Sequence, residues 1–249
     1  MIYVTRPSPE GEVLTQLLNQ ANLPAIHLPL FDMLAGKDLF NLQIQLNRLK
    51  PNDIVIVVSP QVINVIKNYI PNLIFPNNLR YFAIGKKSAE LLSQLTQTRV
   101  DYPRQEDSEG LLELLASKSV NNYTVLILKG NVGRQLIAET LSTKQAQIKL
   151  IECYSRNVIP YQQDILYNDI EKQILIVTSI AHLHQLEIYC KINHKKNAIL
   201  VVTSQRIFEE AKQQNWQKIV LVTGANNQIL FKTLITLCHN DKINLNNTE

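Results

Sequence analysis

Cysteine is scarce. Three residues in 249, Cys153, Cys190 and Cys238, are too scattered and odd in number for a disulfide framework or a metal knuckle. No apolar run approaches the ~20 residues that span a bilayer. The chain enters a strand pattern at its first residues, without a basic and apolar leader. No G-x-G-x-x-G follows the first strand pattern and no G-x-x-x-x-G-K-S/T occurs, so neither a dinucleotide fingerprint nor a P-loop is present. His182 and His184 lie two apart on a helical pattern and cannot share a face; with no cysteine or carboxylate completing a ligand spacing, both read as surface or packing residues. The longest basic runs are the pairs Lys86-Lys87 and Lys195-Lys196, which argues against a nucleic-acid surface. No Ser-His-Asp or Cys-His signature stands out. The expectation is a cytoplasmic monomer with no metal, no cofactor, and no nucleic-acid or membrane partner.

What is present is core. With 45% hydrophobic and 18% charged residues the chain can bury ample apolar surface, as one large or two small domains. The net charge of +4 is a solvated surface with a slight excess of lysine, or a mild field that steers an anionic small molecule. Short β-branched runs at Ile2–Thr5, Ala25–Leu28, Ile54–Val58, Tyr81–Ile84, Arg99–Tyr102, Thr124–Leu128, Ile174–Val177, Ile199–Val202 and Lys218–Val222 alternate with helical patterns, the first at Glu12–Asn22. A helix near Leu39–Leu49 precedes the third run. Ser108 is a plausible N-cap for another helix. The last helix runs near Gln228–His239, and residues 240–249 read as a loose tail. Alternating strands and helices predict an α/β fold of parallel sheets covered on both faces, in two lobes.

The strand-to-helix junctions share a chemistry. Thr5-Arg6, Ser59-Pro60, Gly85-Lys86, Gly130-Asn131, Thr178-Ser179, Thr203-Ser204 and Thr223-Gly224 each place a small hydroxyl residue or a glycine where a helix begins. In a parallel sheet these points lie at the carboxyl edge, where ligands of open α/β sheets bind. A helix N-terminus contributes ~0.3–1 kcal/mol toward an anion. Micromolar affinity needs ~8 kcal/mol, so several would have to converge. Each junction is equally an ordinary helix cap. Arg6 and Arg134 suit carboxylates through their guanidinium forks, or pair with structural acids.

The stretch Thr124–Arg156 organises the rest: a buried strand, the glycine-bearing turn Lys129-Gly130-Asn131-Val132-Gly133, a helix, and a return strand ending in Tyr154. Its two glycines allow close approach of a ligand to the backbone. Lys129 reads as an outward-pointing residue.

The run L-K-G-N-x-G-R at Leu128–Arg134 followed by E-C-Y-x-R at Glu152–Arg156 resembles the central signature of uroporphyrinogen-III synthases. In the same order come V-T-R-P at Val4–Pro7, S-P-Q-V at Ser59–Val62, F-A-I-G-K-x-S-A at Phe82–Ala89, V-T-S at Val177–Ser179 and V-T-S-Q-R-I at Val202–Ile207. Each motif alone is weak; their joint order from Ile2 to roughly Leu237 is specific. The resemblance implies two α/β lobes, each a mostly parallel sheet with flanking helices, joined by two extended linker strands. The first lobe would comprise 1–34 and 162–249 and the second 35–161, with linkers near 28–36 and 151–161.

It further implies a cofactor-free hydro-lyase that closes hydroxymethylbilane, a linear tetrapyrrole with an acetate and a propionate on each ring, into uroporphyrinogen III with ring D inverted. Tyr154 corresponds to the tyrosine near the leaving hydroxyl, where a protonated phenol could assist departure of water. Thr5, Arg6, Ser59, Gly85, Lys86, Ser88, Gly130, Asn131, Gly133, Arg134, Thr178, Ser179, Thr203 and Ser204 would hold carboxylates. The chain departs from the pattern at Asn22, Gln145 and Asn215, where the family often has glycine. Asparagine tolerates the left-handed conformation of a helix end, and glutamine does so less well. A reading from another class is a non-catalytic two-lobed module that binds an anionic metabolite.

Overall fold

Strands that are apolar on both faces must be covered on both, and this requirement sets the framework. The computed structural model describes residues 1–133, 135–166 and 169–245, the last seven of these as backbone only. In chain order the elements begin with β1 (Ile2–Val4), α1 (Glu10–Gln20), β2 (Ala25–His27), β3 (Phe31–Ala35), α2 (Leu42–Asn47), β4 (Ile54–Val57) and α3 (Pro60–Tyr69). There follow β5 (Arg80–Ala83), α4 (Lys86–Thr96), β6 (Val100–Asp101), α5 (Ser108–Ala116), β7 (Thr124–Gly130), α6 (Leu136–Thr143) and β8 (Gln147–Val158). The chain continues with β9 (Ile174–Val177), α7 (Ile180–Glu187), α8 (Ile192–Asn197), β10 (Ile199–Val202), α9 (Gln205–Gln213), β11 (Lys218–Leu221) and α10 (Asn227–Leu245). Among the described residues no helix is long and apolar enough to cross a membrane.

Two compact units result, Met1–Asp32 with Val158–Glu249, and Met33–Asn157. In the first, a five-stranded sheet has the order β11-β10-β9-β1-β2, and its neighbouring strands pair in parallel. Ile2, Val4, Ile174, Ile176 and Val201 bury one face against Leu14 and Leu18 of α1 and Leu230 and Leu234 of α10. Strand order reverses between β1 and β9, which makes their carboxyl ends a topological switch point.

In the second unit the sheet order is β3-β8-β7-β4-β5-β6, and the pairs β8-β7, β7-β4, β4-β5 and β5-β6 are parallel. Val55, Val57, Leu126 and Leu128 point to a core closed by α2, α3 and α4; Ile54, Ile56, Val125 and Ile127 point to one closed by α5 and α6. Asp53, 4% exposed, fastens the entry to this sheet. Its carboxylate accepts from Lys50 N at 2.7 Å and from Thr124 N at 2.9 Å, so the starts of β4 and β7 are held in register. Here the order reverses between β4 and β7.

Several local expectations shift. The segment read as the first linker contributes β3, which lies beside the long β8 in the second sheet. The helix near Leu39 divides into a tight turn at Leu39–Asn41 and α2. Asp107 rather than Ser108 caps α5, its side chain accepting from Gly110 N at 2.8 Å. The short α8 carries no long apolar period and is not foreseen. Residues 240–245, read as tail, continue α10; 246–249 lie outside the described residues. Asn22, Gln145 and Asn215 all adopt positive φ, at 59°, 60° and 68°. The left-handed helix ends are thus kept without glycine.

Candidate active site

At the switch point of the second unit, β4 and β7 deliver two junctions side by side. Ser59 caps α3 in extended conformation and accepts from Gln61 N at 3.2 Å, with Pro60 at the first helical position. β7 ends in a bulge: Lys129 pairs with Glu152, but Gly130 pairs with Tyr154, so β8 carries one extra residue there. The consequence is close contact of Tyr154 with the β7 backbone. A Cβ on Gly130 would meet Cζ of Tyr154 at 2.5 Å, Cε2 at 2.6 Å and the hydroxyl oxygen at 2.9 Å. Only glycine leaves room for the ring. Asn131 closes the bulge, its N–H donating to Tyr154 O at 2.9 Å and its side-chain oxygen accepting from Arg156 N at 3.0 Å. Gly133 has a φ of +136° and nothing within 4 Å of a built Cβ, so it serves the turn itself.

Ser59, Gly130, Gly133 and Tyr154, though not Asn131, line a cavity of about 290 Å³. Val58, Ile84, Ile127, Ile137 and Leu150 provide apolar walls, while Ser59, Ser108, Lys129, Gln135 and Tyr154 add polar atoms. Among the described lining residues there is no carboxylate and one cation, Lys129. Contrary to the outward reading, Lys129 lies on this cavity. The strand period could have shown it, because Lys129 shares a face with Val125 and Ile127. The structure therefore brings Ser59, Gly130, Gly133 and Tyr154 to one cavity. Arg134 lies outside the described residues.

The neighbouring junction is differently disposed. Gly85 caps α4, but the helix end already holds a carboxylate: Glu106 Oε2 accepts from Lys86 N at 3.1 Å and lies 2.2 Å from where a Gly85 Cβ would be. Lys86 itself is exposed, 3.9 Å from Glu90, and Ser88 is buried in the first turn. Glu106 escaped the sequence reading because it is twenty residues from the N–H it serves; a loop acid carries no local pattern.

In the first unit the candidate hydroxyls are engaged by the protein. Buried Thr5 donates to Ile176 O at 2.6 Å across the β1–β9 switch point. Ser179 caps α7 through His182 N at 3.2 Å, and Ser204 caps α9 through Ile207 N at 3.4 Å. Thr203 is buried. Thr178 Oγ1 lies 3.2 Å from Nδ1 of His182, whose ring stacks on Phe31 with centroids 5.5 Å apart. Arg6 donates to Ala225 O at 2.8 Å and to Asn227 Oδ1, and so braces the turn before α10. Burial lowers the Arg6 pKa, against the opposing pull of Glu10. Each capped helix still offers the first-turn N–H groups that its serine does not use.

The comparisons agree with this architecture. The family model described as uroporphyrinogen-III synthase HemD matches residues 12–231. A uroporphyrinogen-III synthase of Escherichia coli K12 is 31% identical over 243 residues, 94% of this chain and 99% of the relative. That of Proteus mirabilis is 40% identical over 163 residues, 64% of this chain and 82% of the relative. Among solved structures, a uroporphyrinogen-III synthetase from Helicobacter pylori superposes with a TM-score of 0.62 at 14% identity, covering 95% of this chain and 98% of the other. A mutant uroporphyrinogen III synthase from Thermus thermophilus gives 0.60 at 13% identity, covering 96% and 98%. The structural matches carry the fold alone. With the matched span and the full-length identity to the E. coli relative, they leave one conclusion: this chain belongs to the uroporphyrinogen-III synthase family.

Proposed function

We propose that this chain closes hydroxymethylbilane into uroporphyrinogen III at the cavity of the second unit, with Tyr154 assisting loss of the hydroxyl. The observation that carries the assignment is the Tyr154 ring laid on Gly130 at the β4–β7 switch point, beside a cavity whose described lining holds no carboxylate. The non-catalytic binding module is not favoured, because the family and its full-length relatives are named for the synthase.

The chemistry asks little of the protein in bond-making. The ring-A hydroxymethyl C–O bond breaks with electrons supplied by the pyrrole, and the hydroxyl leaves as water after taking a proton, for which Tyr154 O–H is the positioned donor. The azafulvene left behind is attacked by the substituted carbon of ring D. A spiro intermediate forms and rearranges, and loss of a proton gives the macrocycle with ring D inverted. Free bilane closes without inversion, so the protein has to select a conformation, and backbone N–H groups at the remaining helix starts supply fixed donors for the acidic arms. We place the reaction in the cytoplasm, on a monomer that needs no cofactor, each compact unit serving as one lobe.

The test generates hydroxymethylbilane in place and separates the oxidised type I and type III isomers. Wild-type protein should give mainly type III, and Tyr154→Phe should be slower by about one to two orders of magnitude. Type I alone, from folded wild type, would remove the proposal.

A further inference from the structure

We infer that Lys129 receives a carboxylate of the substrate, and that the cavity beside it takes one pyrrole ring rather than the whole four-ring chain. This rests on assigning the family reaction to this cavity. At about 290 Å³ the space falls just short of the ~300–1,000 Å³ range of drug-sized ligand sites. It suits a single flat ring. Val58, Ile84, Ile127 and Ile137 offer that ring apolar contact.

Its acidic arms need a partner, and Lys129 is placed to be one. Half-buried on an apolar wall, it has no acidic side chain in the described lining; Glu152, its partner across β7–β8, lies instead 3.7 Å from Lys37. Among the described residues it forms no ion pair, whereas Lys37, Lys86, Lys172, Lys191 and Lys195 each face a carboxylate. An ammonium held against apolar surface loses hydration that a buried acid would normally offset. Here a substrate carboxylate supplies the missing charge, with the hydroxyls of Ser59 and Ser108 as further donors on the same lining. The strand fixes this placement: Lys129 sits two residues beyond Ile127 on the same face, at the carboxyl end of β7.

The test compares wild type, Lys129→Gln, Lys129→Arg and, as a net-charge control, Lys67→Gln at an exposed position of α3. KM and kcat for in-place hydroxymethylbilane are measured at low and high salt, with thermal melts to verify folding. Lys129→Gln should raise KM on the order of tenfold and lower kcat less, as for a partly exposed charge-assisted contact. Lys129→Arg should stay within about threefold of wild type, since charge rather than ammonium geometry is required. High salt should raise KM of wild type and Lys67→Gln more steeply than that of Lys129→Gln. A folded Lys129→Gln with the wild-type KM at low salt, or a Lys129→Arg as poor as Lys129→Gln, would overturn the inference while leaving type III synthesis by wild type intact. Failure of wild type to make type III would instead strike the assignment beneath it.

Discussion

Gly130→Ala tests the site with a single methyl group. The new Cβ would stand 2.5–2.9 Å from three atoms of Tyr154, whereas carbon contacts settle at ~3.5–4.0 Å. The ring must therefore move by about 1 Å, or the β7–β8 bulge must open. No backbone strain enters, because Gly130 is not among the residues with positive φ. Overpacking of this kind costs ~1–3 kcal/mol, which should lower the thermal midpoint by a few degrees while leaving the protein folded. The larger effect should be catalytic: a group displaced by ~1 Å loses on the order of a hundredfold. That loss cannot exceed what the tyrosine itself provides. The decisive assay is a double-mutant cycle in kcat for type III formation, with Gly130→Ala made alone and in Tyr154→Ala protein. If the methyl acts through the ring, it should cost nothing further once the ring is gone. An equal fractional loss in both backgrounds, or a Gly130→Ala enzyme with wild-type kcat and isomer ratio, would refute the reasoning.

Two further predictions concern the scaffold. Gln145 holds φ at 60°, where a side chain costs ~1–2 kcal/mol; replacement by glycine relieves this but gives the unfolded chain more freedom, so Gln145→Gly should gain about 0.5–1 kcal/mol and raise the midpoint by ~1–4 °C, read by calorimetry. Burial pushes the Cys153 thiol from 9.0 up to about 12, assisted by Asp38 and opposed by a backbone hydrogen bond at Lys129. Between these values the unfolded chain binds fewer protons than the folded one, so stability is full below pH 9 and falls as pH rises toward 12. From pH 9 to 10 Cys153 should contribute a loss of about 1 kcal/mol, and Cys190, whose thiol burial also raises from 9.0, adds to it; urea midpoints should show the fall, and Cys153→Ala should lessen it without abolishing it.

Legibility in the sequence followed the range of the interactions. The buried strands Ile54–Val57, Ile174–Val177 and Ile199–Val202 announced themselves as uninterrupted apolar runs, since coverage on both faces leaves no polar alternation. Ser59, Ser179 and Ser204 were legible as helix starts because a cap reaches only two or three residues ahead. What those serines do was less legible. The hydroxyls that read as ligand contacts are largely engaged with the helix itself, and only the fold shows which junctions border a cavity. Arg6 read as a carboxylate fork, yet it braces a turn more than two hundred residues away. The Asp107 cap was masked by the adjacent Ser108, an equally good capping type one residue on.

By itself the sequence determined the α/β class, the order of strands and helices, the left-handed ends at Asn22 and Asn215, and Tyr154 as the residue to test; that Gln145 also holds positive φ is shown by the structure. These depend on local periodicity, on backbone preference and on an ordered set of motifs. Only the tertiary structure decided that strand order reverses at β4 and β7, and that an extra residue in β8 lays Tyr154 on Gly130. It alone decided that Glu106 fills the start of α4 and that a cavity lies over the face which Lys129 shares with Val125 and Ile127. Those outcomes come from the pairing of segments far apart in the chain, and side-chain placement there is fixed by which strand lies beside which, a relation that no window of sequence contains.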